Sequence, residues 1–130
     1  MRKQAVAIGF DNIKLEPVTN FRKWVRGKES LQLLSPRETK LDVIGLGASV
    51  SSNGPIVAEV VVVRDYNELE AKKALVKGRI VCFNNVWVDY HTSVTYRVEG
   101  PSKAASYGAV ATLVRSVASS SIYSVHTGYM

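Results

Sequence analysis

The sequence predicts an α/β fold: a β-hairpin-rich first half joined to a mixed or parallel sheet with two crossover helices. Three observations carry this. "IVAEVVVV" (56–63) is nearly all β-branched, as a buried strand requires. "RIVCF" (79–83) and "AVATLV" (109–114) repeat that signature further along. Between each pair of these runs lies a segment with helix punctuation, and strand–helix–strand order implies crossover connections.

In the first half, "LEPVTNFRKWVRG" (15–27) alternates in patches and reads as a strand ending at Gly27. "ESLQLLSP" (29–36) is a short run closed by Ser35-Pro36. "LDVIGLG" (41–47) ends in two glycines, and "SSNGP" (51–55) is turn chemistry. In the second half, the strand at 56–63 is expected to be buried on both faces. "DYNELEAKKALVKG" (65–78) reads as one helix, with Asp65 as its N-cap, Glu68 as the capping-box partner and Gly78 as the C-terminal stop. A polar-aromatic loop is expected after "RIVCF". "GPSKAASYG" (100–108) then opens a second helix, with Pro101 in its first turn and Gly108 ending it.

Composition bounds the function. The chain has 130 residues, 46% hydrophobic and 22% charged, enough for a globular core and not the composition of a disordered chain. No apolar run reaches the ~18 residues of a membrane span. "MRKQAVAIGF" is too poor in apolar residues for a secretory leader. The net charge of +6 raises nucleic-acid binding, and "NFRKWVRGK" (20–28) interleaves Phe21 and Trp24 with four cations. The preferred reading is an amphipathic strand with Phe21 and Trp24 packed inward and no nucleic-acid partner. The single Cys82 allows no internal disulfide and reads as a buried, inert thiol.

No catalytic constellation emerges. His91 and His126 stand alone, without ligands at metal-binding spacing, so neither a metal site nor a catalytic residue is assigned. The serines of "SVASSS" lack a spaced His and Asp, and there is no G-x-S-x-G elbow. "GLGASV" (45–50) fails as a dinucleotide loop, because Val50 occupies the third glycine position and no helix follows. The crossover pattern alone would also suit a small flavodoxin-like enzyme.

"GRIVCFNN", "YRVEGPSKAASYGAVATLVRSVASSSIYSVHTG" and "GLGASVSSNGPIVAEVVVV", taken together, resemble the protease-associated (PA) domain. The resemblance is sharpest to the PA domain of carboxypeptidase Q-like enzymes in the M28 zinc peptidase family. "LVRSVASSSIYSVHTG" follows that family's strand-to-loop segment, with Val125 where members often carry Pro. The resemblance implies a swivelling β/β/α fold. Residues 1–12 would be the tail of a preceding peptidase segment, and 13–130 a PA domain incomplete at its C-terminal end. It implies that zinc and the catalytic residues lie in a peptidase domain outside this chain, with no cofactor in the chain itself. The expected role is non-catalytic: governing substrate access, peptide or protein contacts, or dimerisation. The partners would be the remainder of the peptidase, peptide substrate and a second copy, in a secreted or lysosomal protein. A stand-alone PA-type interaction module is the alternative.

On that resemblance, the segment 116–128 leaves a strand at the sheet's carboxyl edge, where loops build sites. Arg115 would hold a carboxylate or anchor the loop, and Tyr123 and His126 would pack on the peptidase domain or line substrate entry. The competing reading makes Arg115 a surface cation and the Ser run a connector.

Overall fold

The computed structural model describes residues 1–120 and 125–130. Three parallel strands organise it, in the order β3 (Val60–Val63), β4 (Ile80–Phe83), β5 (Ala111–Val114). Val61 is in register with Val81 and Thr112, and Val63 with Phe83 and Val114. The helices α2 (Tyr66–Ala71), α3 (Tyr90–Val98) and α4 (Gly100–Ser106) lie in the two crossovers. Consecutive strands are neighbours and both crossovers advance in the same direction, so right-handed connections put every helix on one face. That face holds the core: Val61, Val63, Leu69, Val76, Val81, Phe83 and Ala104, with Tyr66, Tyr96 and Tyr107 packed against it. Phe83 is its centre, edge-on to Tyr66 at 5.8 Å and 5.8 Å from Tyr96.

Burial of β3 on both faces, expected from its β-branched run, is corrected. Its pattern alternates, with Val61 and Val63 buried while Val60 and Val62 are 44% and 47% exposed. The reason is topological: with all helices on one side, the β3 end of the other face has no covering layer. Cys82 points to this outer face by register; it is half-buried, and burial pushes its thiol up.

Helix punctuation is written locally. Asp65 is the N-cap of α2, its carboxylate accepting from the Glu68 N–H at 2.7 Å. Glu68 reaches back one residue further than a capping box, accepting from the Arg64 N–H at 2.8 Å. The single helix expected over 65–78 is shorter, giving way to a 3₁₀ turn at Lys73–Leu75 before Gly78, which takes φ +76°. Between 84 and 99 the expected loop is in fact α3. Its Thr, Val and Tyr residues have poor helix propensity, but Asp89 caps it, accepting from the Thr92 N–H at 2.6 Å. That bond holds the Asp89 carboxyl below the usual range. Pro101 sits in the first turn of α4, as expected.

The first half is less regular than predicted. After an exposed helix α1 (Arg2–Ala7), its only strands are the short antiparallel pair β1 (Leu31–Leu33) and β2 (Thr39–Leu41), joined through a cis Ser35-Pro36 bond. Residues 15–27 form no strand. Phe21 does not pack inward but is 81% exposed, because a lone segment has no neighbouring strand to pair with.

Two outcomes are expected. A Cβ on Gly100 would lie 2.8 Å from Cε2 of the fully buried Phe83 ring. Gly100→Ala should therefore cost about 1–3 kcal/mol in chemical denaturation, and an unchanged midpoint would contradict this packing. Glu68 accepts from Lys72 first, then from the backbone and side chain of Arg64, and these bonds lower its carboxyl from 4.5 to about 2. The unfolded state thus takes up the proton first. The stabilisation is complete above 4.5 and lost as pH falls towards 2. Glu68→Gln should flatten the stability profile across that window in urea titrations at stepped pH.

Candidate functional site

The described C-terminal segment, 125–130, is pinned from three directions. Along one side it pairs with the loop at 45–49. The Gly47 N–H donates to the Gly128 carbonyl at 2.7 Å, the Met130 N–H to the Gly47 carbonyl at 3.1 Å, and Gly47 and Tyr129 form a parallel bridge. A Cβ on Gly47 would fall 2.9 Å from the exposed Tyr129 ring and 3.4 Å from the Gly128 carbonyl, so a side chain there would push the Tyr129 ring aside. "GLGASV", rejected as a nucleotide loop, is instead the seat of this segment.

From a second side comes the arm at 24–29. Trp24 Nε1 donates to the Ser49 carbonyl at 2.9 Å, and the Arg26 guanidinium lies 5.4 Å above the Trp24 ring. Arg26 Nε donates to the Gly45 carbonyl at 3.0 Å, and its Nη2 reaches the Thr127 hydroxyl at 3.1 Å. Glu29 accepts from the Gly45 N–H at 2.8 Å and lies 3.6 Å from Arg26 Nε.

The third contact comes from α3. Arg97, in its last turn, is only 7% exposed. Its Nη1 donates to the Thr127 carbonyl at 3.2 Å and its Nη2 to the Tyr90 hydroxyl at 2.9 Å, while its Nε is buried without a partner. No carboxylate lies within ion-pair distance of Arg97 among the described residues. The His126 ring rests 6.1 Å from the Tyr90 ring. Two guanidiniums thus grip Thr127, one at its hydroxyl and one at its carbonyl, and so fix His126 beside Tyr90.

Of the residues singled out from sequence, His126 belongs to this cluster. Tyr123 lies outside the described residues. Arg115 is exposed just beyond β5, where its N–H donates to the Phe83 carbonyl at 3.0 Å. No hydrogen bond or ion pair joins Arg115 to His126 among the described residues. The sequence reading missed Arg97, Tyr90 and Arg26. Once α3 is recognised as a helix, the seven-residue spacing puts Tyr90 and Arg97 two turns apart on one face; the loop reading hid that signal. Among the described residues no group of three His, Cys, Asp or Glu could hold a metal, so the donors present do not fit a zinc site.

Glycine at 128 is dictated by Arg97, since a Cβ there would collide with the guanidinium. Gly128→Ala should destabilise the chain by about 1–3 kcal/mol. In the Arg97→Ala background the same change should cost markedly less, which a double-mutant cycle measures; additive effects would refute the contact.

No family model and no solved structure matches the chain. Among curated proteins, carboxypeptidase Q of Bos taurus is 43% identical over 129 residues, 98% of this chain and 27% of that protein. Carboxypeptidase Q of Mus musculus is 45% identical over 121 residues, covering 92% and 26%. The Homo sapiens protein of that name is 44% identical over 121 residues, covering 92% and 25%. The chain therefore spans about a quarter of the length of the curated relatives it matches, and is similar throughout to that one portion of carboxypeptidase Q.

Proposed function

We propose that this chain is the non-catalytic protease-associated portion of a carboxypeptidase Q-like zinc exopeptidase of the M28 family. In this reading residues 1–12 are the tail of a preceding peptidase segment and 13–130 the PA domain. The observation that carries it is the extent of the similarity: nearly all of this chain, against only a quarter of each relative. Zinc and the hydrolytic residues belong to the remaining three quarters, which act on small peptides in a secreted or lysosomal protein.

The surface supports a partner-bound role. A parallel sheet is normally covered on both faces, yet Val60 and Val62 are open, as are Phe21 at 81% and Val25 at 69%. Apolar surface of this kind is what an adjoining domain or a second copy would cover. The pinned segment around His126 is the part presented towards peptide substrate, restricting access or contacting it.

The size of the native species tests this reading. Antibody raised against residues 116–128 should detect a protein several-fold larger than this chain, and that species should release amino acids from dipeptides in a chelator-sensitive reaction. A native species no larger than the chain would overturn the proposal in favour of a stand-alone interaction module.

A further inference from the structure

We propose that Arg97, with Tyr90 and His126 at its mouth, forms a carboxylate-binding site. The first ground is a buried charge that no anion meets. A buried guanidinium is strongly destabilising unless an anion or a full set of acceptors meets it; Arg97 has two neutral acceptors, the Tyr90 ring 5.9 Å away, an unpartnered Nε and no carboxylate among the described residues. The carboxyl-terminal end of α3 offsets only part of that charge. The only carboxylate on the neighbouring arm that joins this cluster, Glu29, is engaged by Gly45 and Arg26.

The second ground is the character of the surrounding groups. The Tyr90 hydroxyl, accepting from Arg97 Nη2, keeps its own proton to donate. The His126 ring adds a further nitrogen, and Arg26 brings a second cation to Thr127. A cluster rich in donors, whose two acceptors are both already engaged by Arg97, selects an anion, and the planar guanidinium fork selects a carboxylate by its bidentate fit.

The third ground is access. Tyr90, whose hydroxyl accepts from Nη2, is 50% exposed and His126 beside it is half-buried, so the rim of the site meets solvent. A carboxylate at that rim accepts from the Tyr90 hydroxyl and from the remaining N–H groups of Arg97 Nη1 and Nη2. The carboxylate is supplied by the C-terminus of a peptide or by an acidic side chain from elsewhere in the parent protein. Its biological source rests on the function proposed above; the binding itself is a property of this chain.

The test follows the Arg97 Nε–H resonance of the labelled 130-residue chain by NMR. One probe is an N-acetyl dipeptide with a free C-terminus, another the same dipeptide amidated, and a third an N-acetyl aspartate amide carrying only a side-chain carboxylate. Both acids should shift the resonance saturably and the amidated dipeptide should not. The tighter of the two acids identifies terminal or side-chain carboxylate as the source. Tyr90→Phe, which keeps the ring, should weaken binding about tenfold through the lost charge-assisted hydrogen bond; Arg97→Lys should abolish the bidentate fit. An Nε–H resonance unmoved by either acid, or moved equally by the amidated dipeptide, overturns the site. Either result leaves the native-size experiment to judge the parent assignment separately.

Discussion

The structure turns on Thr127, gripped by two arginines that are 71 positions apart in the chain. Arg97 belongs to the α/β half and takes the Thr127 carbonyl; Arg26 belongs to the irregular first half and takes the hydroxyl. Without this grip the first half would have little to hold it. It contributes two three-residue strands, and none of the core cluster around Phe83 comes from it. Its tie to the segment around Thr127 is a set of polar contacts from Arg26 and Gly47, with Trp24 and Arg26 bonding the arm to the 45–49 loop that seats the segment. Individually such bonds contribute on the order of 1 kcal/mol. Together they position a segment from the far end of the sequence, so His126 is placed by three separate stretches of chain.

The parallel-sheet half is held differently. Its stability resides in one apolar layer, where Phe83 touches Tyr66, Tyr96 and the bare backbone of Gly100. Around the rim, side chains tie the helices back to the strands. The Tyr66 hydroxyl donates to the Thr95 carbonyl at 2.9 Å, and burial pushes its phenol up to about 12. Lys72 donates to the Val62 carbonyl and to Glu68. Glu70 joins Lys73 and Tyr107. A rim so fully paired, beside a sheet whose other face is open at Val60 and Val62, describes a half that is finished on one side only.

Those two kinds of cohesion explain what was legible in the sequence. The parallel sheet and its first and last helices were readable because their signals are local: β-branched runs, Asp65 three residues before Glu68, Pro101 and Gly108 bracketing α4. Helix α3 was obscured because Thr92, Val94, Thr95 and Tyr96 favour strands, and packing against Phe83 overrides that preference. The strand read into 15–27 failed for the converse reason, since alternation needs a partner strand to become structure. Arg97 was invisible as a site residue because its neighbours, Tyr90 apart, are distant in sequence; nothing near position 97 announces Thr127 or Gly128.

The same logic bears on what the cluster is for. A surface cation needs no explanation, and an arginine fixed purely for stability is normally met by a carboxylate, as Arg79 is by Glu59 at 2.6 Å. Arg97 is the reverse: buried deeper than Arg79, given only a carbonyl and a phenol, and left with one N–H unpaired. Replacing a buried charge by a well-packed apolar side chain is often neutral or stabilising, so cohesion alone gives weak grounds for a guanidinium at this position. What a guanidinium offers and an apolar residue cannot is recognition of an anion, delivered beside an aromatic–histidine pair whose position the rest of the fold is arranged to hold.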